Sequence, residues 1–135
     1  MNRMLDDALT AKIIQACFEV SNELGAGFLE SVYEKALVVA LAQKGLKVAS
    51  QVPLKVMFRD VIVGDYFADL IVEDQVLIEL KAVTRVLREH KAQVINYLTA
   101  TGIAIGLLVN FGTPRIEYYR LHPRQQHPVY PLHPV

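Results

Sequence analysis

Asp69, Glu79 and Lys81 stand near the ends of two apolar stretches, Gly64 to Val72 and Val76 to Lys81. Two carboxylates can hold a divalent cation. A lysine two positions beyond the second, on the same face of its strand, can reach the water or phosphate that the cation acts on. The chemistry this suggests is metal-assisted hydrolysis of a phosphodiester. A Glu-x-Lys pair by itself is more often the solvated face of an edge strand. Here Val76, Leu77, Ile78 and Leu80 mark a largely buried strand, in which charge without a task is costly. Phe67, Leu70, Ile71 and Val72 put Asp69 under the same test. Nine residues separate Asp69 from Glu79, enough for a hairpin that returns one carboxylate beside the other. Carboxylates so placed repel unless a cation or a shared proton intervenes.

Further candidates flank this pair. Glu30 and Tyr33 are three apart and share a helix face. The ordinary explanation is a glutamate favoured by the helix dipole and a half-buried aromatic. His90, Gln93 and Tyr97 fall in a narrow arc beside the apolar row Leu87, Val94 and Leu98. Either they border a packed face, or Gln93 reaches the lysine or a phosphate with Tyr97 or His90 packed behind it. Lys81, Arg85, Arg88 and Lys91 form a short basic run that could neutralise a few phosphates or simply face solvent.

The elements that must position these groups follow from hydrophobic period and turn residues. Ile13, Cys17, Val20 and Leu24 predict a helix capped by Thr10 and stopped by Gly25. A second helix is expected from Leu29 to Lys44, closed by Gly45, with Val32, Ala36, Val39 and Ala40 on its apolar side. From Leu46 the period becomes two, predicting strands over Val52–Phe58, Val61–Val72 and Gln75–Val83 joined by turns at Arg59-Asp60 and Glu73-Asp74. A third helix is expected over Arg88–Thr101, stopped by Gly102. A strand buried on both faces follows at Ile103–Val109, and an edge strand at Arg115–Leu121. The order ααβββαββ is that of an α/β domain, a mixed sheet flanked by helices.

The 135 residues, 53% hydrophobic, can bury one core and not two. Fourteen basic residues balance fourteen acidic ones, so any nucleic-acid affinity must come from a local, salt-sensitive patch. The single cysteine, Cys17, excludes an internal disulfide and a cysteine-built zinc site. Its place in a helix's apolar row reads as an inert thiol in a reducing cytoplasm. No apolar run reaches membrane-spanning length. Residues 122–135 hold Pro123, Pro128, Pro131 and Pro134 with His122, His127 and His133. They read as an extended tail, since prolines between the histidines oppose a fixed metal geometry. The domain is therefore expected over residues 1–121 and the tail over 122–135.

Gly27-Phe28-Leu29-Glu30-Ser31-Val32-Tyr33 resembles the motif that names the GxxExxY proteins. The similarity runs from about Leu9 to Leu121, through Gln51-Val52-Pro53, Ala68-Asp69-Leu70, Glu79-Leu80-Lys81-Ala82-Val83, Gln93 to Leu98 and Asn110-Phe111-Gly112. Those proteins resemble the PD-(D/E)xK nuclease superfamily, with Ala68 where the superfamily's name has proline. The resemblance implies a restriction-endonuclease-like core, Asp69 and Glu79 as metal carboxylates, Lys81 as catalytic lysine and Glu30 as a further acid. It also makes Gln93 and Tyr97 similar to the glutamine-and-tyrosine motif of the RecB-like branch. Mg²⁺ or Mn²⁺ would then be held by Asp69, Glu79, the Leu80 carbonyl and Glu30, with Tyr97, Arg85, Arg88 and Lys91 on the substrate. The favoured function is hydrolysis of DNA, in repair or processing. The alternatives are a silent nucleic-acid-binding module and a protein-interaction module with the same fold. A homo-oligomer through the last strand is compatible with the sequence, though nothing in Arg115–Leu121 demands one.

Overall fold

The computed structural model describes residues 3–124. Most of the expected tail, residues 125–135, lies outside the described residues. Helix α1 runs Arg3–Leu24 and buries Leu9, Ile13, Ala16, Cys17 and Val20. Thr10 does not cap it. With no Gly or Pro in residues 3–9 to stop the helix, Thr10 lies inside it and is itself buried. Cys17 is sealed in the core, and its thiol is pushed up to about 12, chiefly by burial. Gly25, with φ +73°, ends α1 by returning its N–H to the Ser21 carbonyl.

Helix α2, Glu30–Gln43, buries Tyr33, Leu37 and Leu41. The expected apolar side through Val32 and Val39 is therefore rotated: Val39 is exposed, and only Ala36 and Ala40 of that set border the core. The larger Tyr and Leu side chains form the stripe, and the β-branched valines lie at its margins. Gly45, at φ +78°, gives its N–H to Ala42 while Leu46 gives its own to Leu41, which fixes the helix end.

The sheet has five strands in the order β1-β2-β3-β4-β5. These are β1 Val48–Phe58, β2 Val61–Val72, β3 Val76–Lys81, β4 Ile105–Asn110 and β5 Glu117–Leu121. Strands β1, β2 and β3 form the expected antiparallel meander, turning at Arg59-Asp60 and Glu73-Asp74, all four with positive φ. Helix α3, Arg88–Thr101, carries the chain over so that β4 lies parallel to β3. Every residue of β4 is buried, as a strand covered on both faces must be, and β5 closes the far edge antiparallel to β4.

Two cores result. Leu70, Val72, Ile78, Leu80, Leu107 and Val109 pack under α1 and α2, while Leu77 and Leu108 meet Val94, Tyr97 and Leu98 of α3 on the other face. Gly106 lets α3 approach β4, since a Cβ there would lie 2.9 Å from Val94.

Strand β2 pairs with β3 only from Leu70 to Val72, so the β1–β2 hairpin runs past the sheet as a two-stranded arm. Phe67, expected among the buried neighbours of Asp69, is 57% exposed because it belongs to this arm. Met57, Phe58, Val61, Ile62 and Val63 are exposed with it. Among the described residues no helix is long and apolar enough to cross a membrane.

Candidate active site

The site forms where the β2–β3 ladder stops. Beyond the Leu70–Ile78 pair, side chains replace the backbone ladder. The Asp69 N–H donates to Glu79 Oε1 at 2.9 Å, and the Leu80 N–H donates to Asp69 Oδ2 at 2.7 Å. Alternation along β2 also breaks here: Ala68 and Ile71 both pack toward α3, whereas Leu70 and Val72 face α1 and α2. Gln51 on the neighbouring strand has φ +50°, and its Nε2 lies 2.7 Å from Glu34 Oε1 and 3.4 Å from Asp69 Oδ1.

Glu79 is only 6% exposed. Burial first, and the charge of Asp69 second, push its carboxyl up to about 8, against the smaller opposing influence of Lys81. A buried carboxyl beside a like charge gains from a cation placed between the two. Glu30, the first residue of α2, is also raised by desolvation and by Asp69, and lowered by Lys81. Glu34, one turn further, is raised by desolvation while Gln51 opposes the shift. Glu30, Asp69, Glu79 and Lys81 thus share one electrostatic field.

A chain of contacts sets the helix acid against the strand acids. Phe111 N–H donates to the Lys81 carbonyl at 2.8 Å, and the Asn110 side chain brackets Val83, accepting its N–H at 3.0 Å and donating to its carbonyl at 2.9 Å. Gly112 is required beside this clamp, because any Cβ would collide with the Val83 backbone. Phe111 stacks on Tyr33 with centroids 4.7 Å apart. Tyr33 is fully buried rather than half-buried. Its hydroxyl donates to the Gly25 carbonyl at 2.6 Å and accepts the Phe28 N–H at 3.1 Å, fixing the loop that delivers Glu30.

Gln93 and Tyr97 flank a cavity between α3 and the β1–β2 arm, and no hydrogen bond joins Gln93 to Lys81 among the described residues. Tyr97 is buried, and its hydroxyl is pushed up to about 12 by burial and by the charge of Glu79. His90 does not pack behind Gln93: its Nδ1 accepts the Leu87 N–H at 3.0 Å and closes the first turn of α3. Arg85 and Arg88 are exposed, whereas the Lys91 ammonium sits 3.8 Å from the centroid of Tyr119 on β5, along the flank of α3 opposite the cavity.

Sequence reasoning missed Glu34 and gave Gln51 no role. Glu34 had a signal, a like charge four residues after Glu30 on one helix face, which is unfavourable without a purpose. Gln51 had none within strand alternation, since its role follows from a positive φ.

The sequence model of the PD-(D/E)XK nuclease superfamily matches residues 7–121. The chain belongs to this superfamily. The PD-(D/E)XK domain also shares its fold with the crystal structure of SSO0001, at a TM-score of 0.55 and 22% identity over 71% of this chain. It spans half the length of that protein. No curated protein matches.

Whether these residues suit a cation can be judged from the donor set. Among the described residues no three His, Cys, Asp or Glu side chains form a ready cage. Two hard carboxylates in mutual repulsion nevertheless fit Mg²⁺ or Mn²⁺, which bind through one or two carboxylates and complete their shells with water and phosphate.

Proposed function

We propose that this PD-(D/E)XK domain is a metal-dependent nuclease that hydrolyses phosphodiester bonds of DNA, in repair or processing. The observation that carries the reading is the interlock of Asp69 and Glu79 at the open end of β2 and β3, with Lys81 one step along the same strand face. A pair of acids held this close, one of them nearly buried, is unfavourable without a positive partner.

Asp69 and Glu79, with the Leu80 carbonyl, would hold Mg²⁺ or Mn²⁺, and Glu30 would hold a second ion or a water in the outer shell. When bound, the cation supplies Lewis acidity toward the phosphoryl oxygens and lowers the pKa of water. Lys81 orients the attacking water and stabilises the charge that grows on the phosphate during in-line displacement. Gln51 bridges Glu34 and Asp69 by donating its amide nitrogen to both, which offsets part of their mutual repulsion. Gln93 and Tyr97 contact the bound strand, while Arg85 and Arg88 neutralise flanking phosphates and Lys91 adds charge at the far side of α3.

The test is cleavage of labelled DNA with Mg²⁺ or Mn²⁺ by wild type and by Asp69→Ala, Glu79→Ala and Lys81→Ala. Loss of cleavage in all three supports the reading. Full activity in all three would refute it, and salt-sensitive binding that ignores chelator would instead favour a module that binds without cutting.

A further inference from the structure

The cavity between α3 and the β1–β2 arm has a volume of about 830 Å³, and neither Asp69 nor Glu79 lines it. Its walls combine three kinds of group. Tyr66 from the arm and Tyr97 from α3 bring their rings to 5.5 Å at 46°, with Met57 beside them. Gln93 projects among them with no hydrogen-bond partner among the described residues, so both halves of its amide are unengaged. Lys55 and Arg124 add positive charge to the lining, and Glu89 adds one negative charge.

Each group suits a different part of one ligand. Aromatic rings with a thioether offer a stacking surface to a flat heterocycle. An amide carries a donor and an acceptor, which match the edges of a nucleobase. Arg124 is held by Asn96 Oδ1 at 2.7 Å, which positions its cation without neutralising it. Lys55 pairs with Asp65 at 2.9 Å, but both are exposed, and such a pair gives way to a phosphate at little cost. The volume lies in the range of small-ligand sites. The cavity is also tied to the acids, because Ala68, next to Asp69 on β2, packs in one core with Tyr97.

We propose that this cavity takes one unpaired nucleobase, next to the phosphodiester at the Asp69–Glu79 site, and so selects single-stranded nucleic acid. A base stacked in a duplex cannot enter without first leaving its neighbours. This inference rests on the nuclease reading for the identity of its ligand. Its test does not require cleavage.

The experiment measures fluorescence anisotropy of a labelled thymidine homopolymer, and of the same strand with abasic sites, on the full chain in chelator. The expected result is at least roughly tenfold tighter binding of the base-bearing strand. Tyr66→Ala and Gln93→Ala should each erode that ratio, and Ala100→Trp, which fills the cavity from α3, should abolish it while circular dichroism reports a native fold. Equal affinity for both strands, absence of binding, or a ratio unchanged in Ala100→Trp would overturn the proposal. A preserved ratio in a wild type that never cleaves DNA refutes the nuclease reading and leaves the base site standing. Cleavage without any ratio does the reverse.

Discussion

Tyr33 and Phe111 lie face to face, centroids 4.7 Å apart and planes 8° from parallel, so the loop before α2 is braced on the end of β4. Tyr33→Phe keeps the stack and removes the hydroxyl that serves Gly25 and Phe28. It should cost about 1–3 kcal/mol in urea unfolding. Tyr33→Ala also empties a fully buried site, with an expected loss of about 3–5 kcal/mol. Both should lower cleavage at temperatures where the protein is still folded, because Glu30 loses its fixed approach.

Asp69 and Glu79 each accept a backbone N–H and are each proposed to hold the cation, and amide substitutions separate the two. Asp69→Asn and Glu79→Gln keep an oxygen that can accept the Leu80 or Asp69 N–H and remove the negative charge. Calorimetric titration with Mn²⁺ should show site-specific heat for wild type and none for either variant, with melting temperatures close to wild type. Asp69→Ala should lose the same heat and in addition about 1–3 kcal/mol of stability, since the Leu80 N–H is left without its acceptor.

Stability of the metal-free protein should fall as pH rises from about 5 to 8.5. The Glu79 carboxyl has its ordinary value near 4.5 in the unfolded chain and is pushed up to about 8 in the fold. The folded state therefore binds the extra proton between those values, and the stability it contributes is complete below 4.5 and lost as pH passes 8. Glu30 and Glu34 are shifted the same way and add to the slope. Thermal melts across this range should show the decline, Mg²⁺ should reverse it most at the alkaline end, and Glu79→Gln should flatten it.

Lys81→Met should leave Mn²⁺ binding in the calorimeter nearly unchanged and reduce cleavage roughly 10²- to 10³-fold, the size of effect found when one preorganised donor to transition-state charge is removed. A fall in metal affinity equal to that of Asp69→Asn would show that Lys81 serves the ligands rather than the phosphate.

Most elements were legible because their signals are local. The two turns with positive φ, the uninterrupted apolar run of β4 and the Gly102 stop of α3 each depend on a few adjacent residues. The start of α1 was not, because Thr10 is an excellent cap by type and only packing puts it in the core instead. The acids proposed for the site were picked out by the conflict between charge and apolar surroundings. Their real geometry was not: it depends on an interrupted ladder, a break in the alternation at Asp69 and a positive φ at Gln51, three features without a periodic trace. Phe67 misled for a related reason, since a strand's composition does not say how far its neighbour accompanies it.

Because the side chains of Asp69 and Glu79 take over N–H bonds where β2 and β3 part, each acid is also a piece of scaffolding. A domain of this build that did not cut nucleic acid would still be selected to retain both, or to exchange them for their amides. Lys81, which closes no ion pair among the described residues, enjoys no such protection. Drift at that position, more than at either acid, is the mark by which a retired nuclease of this build would be known.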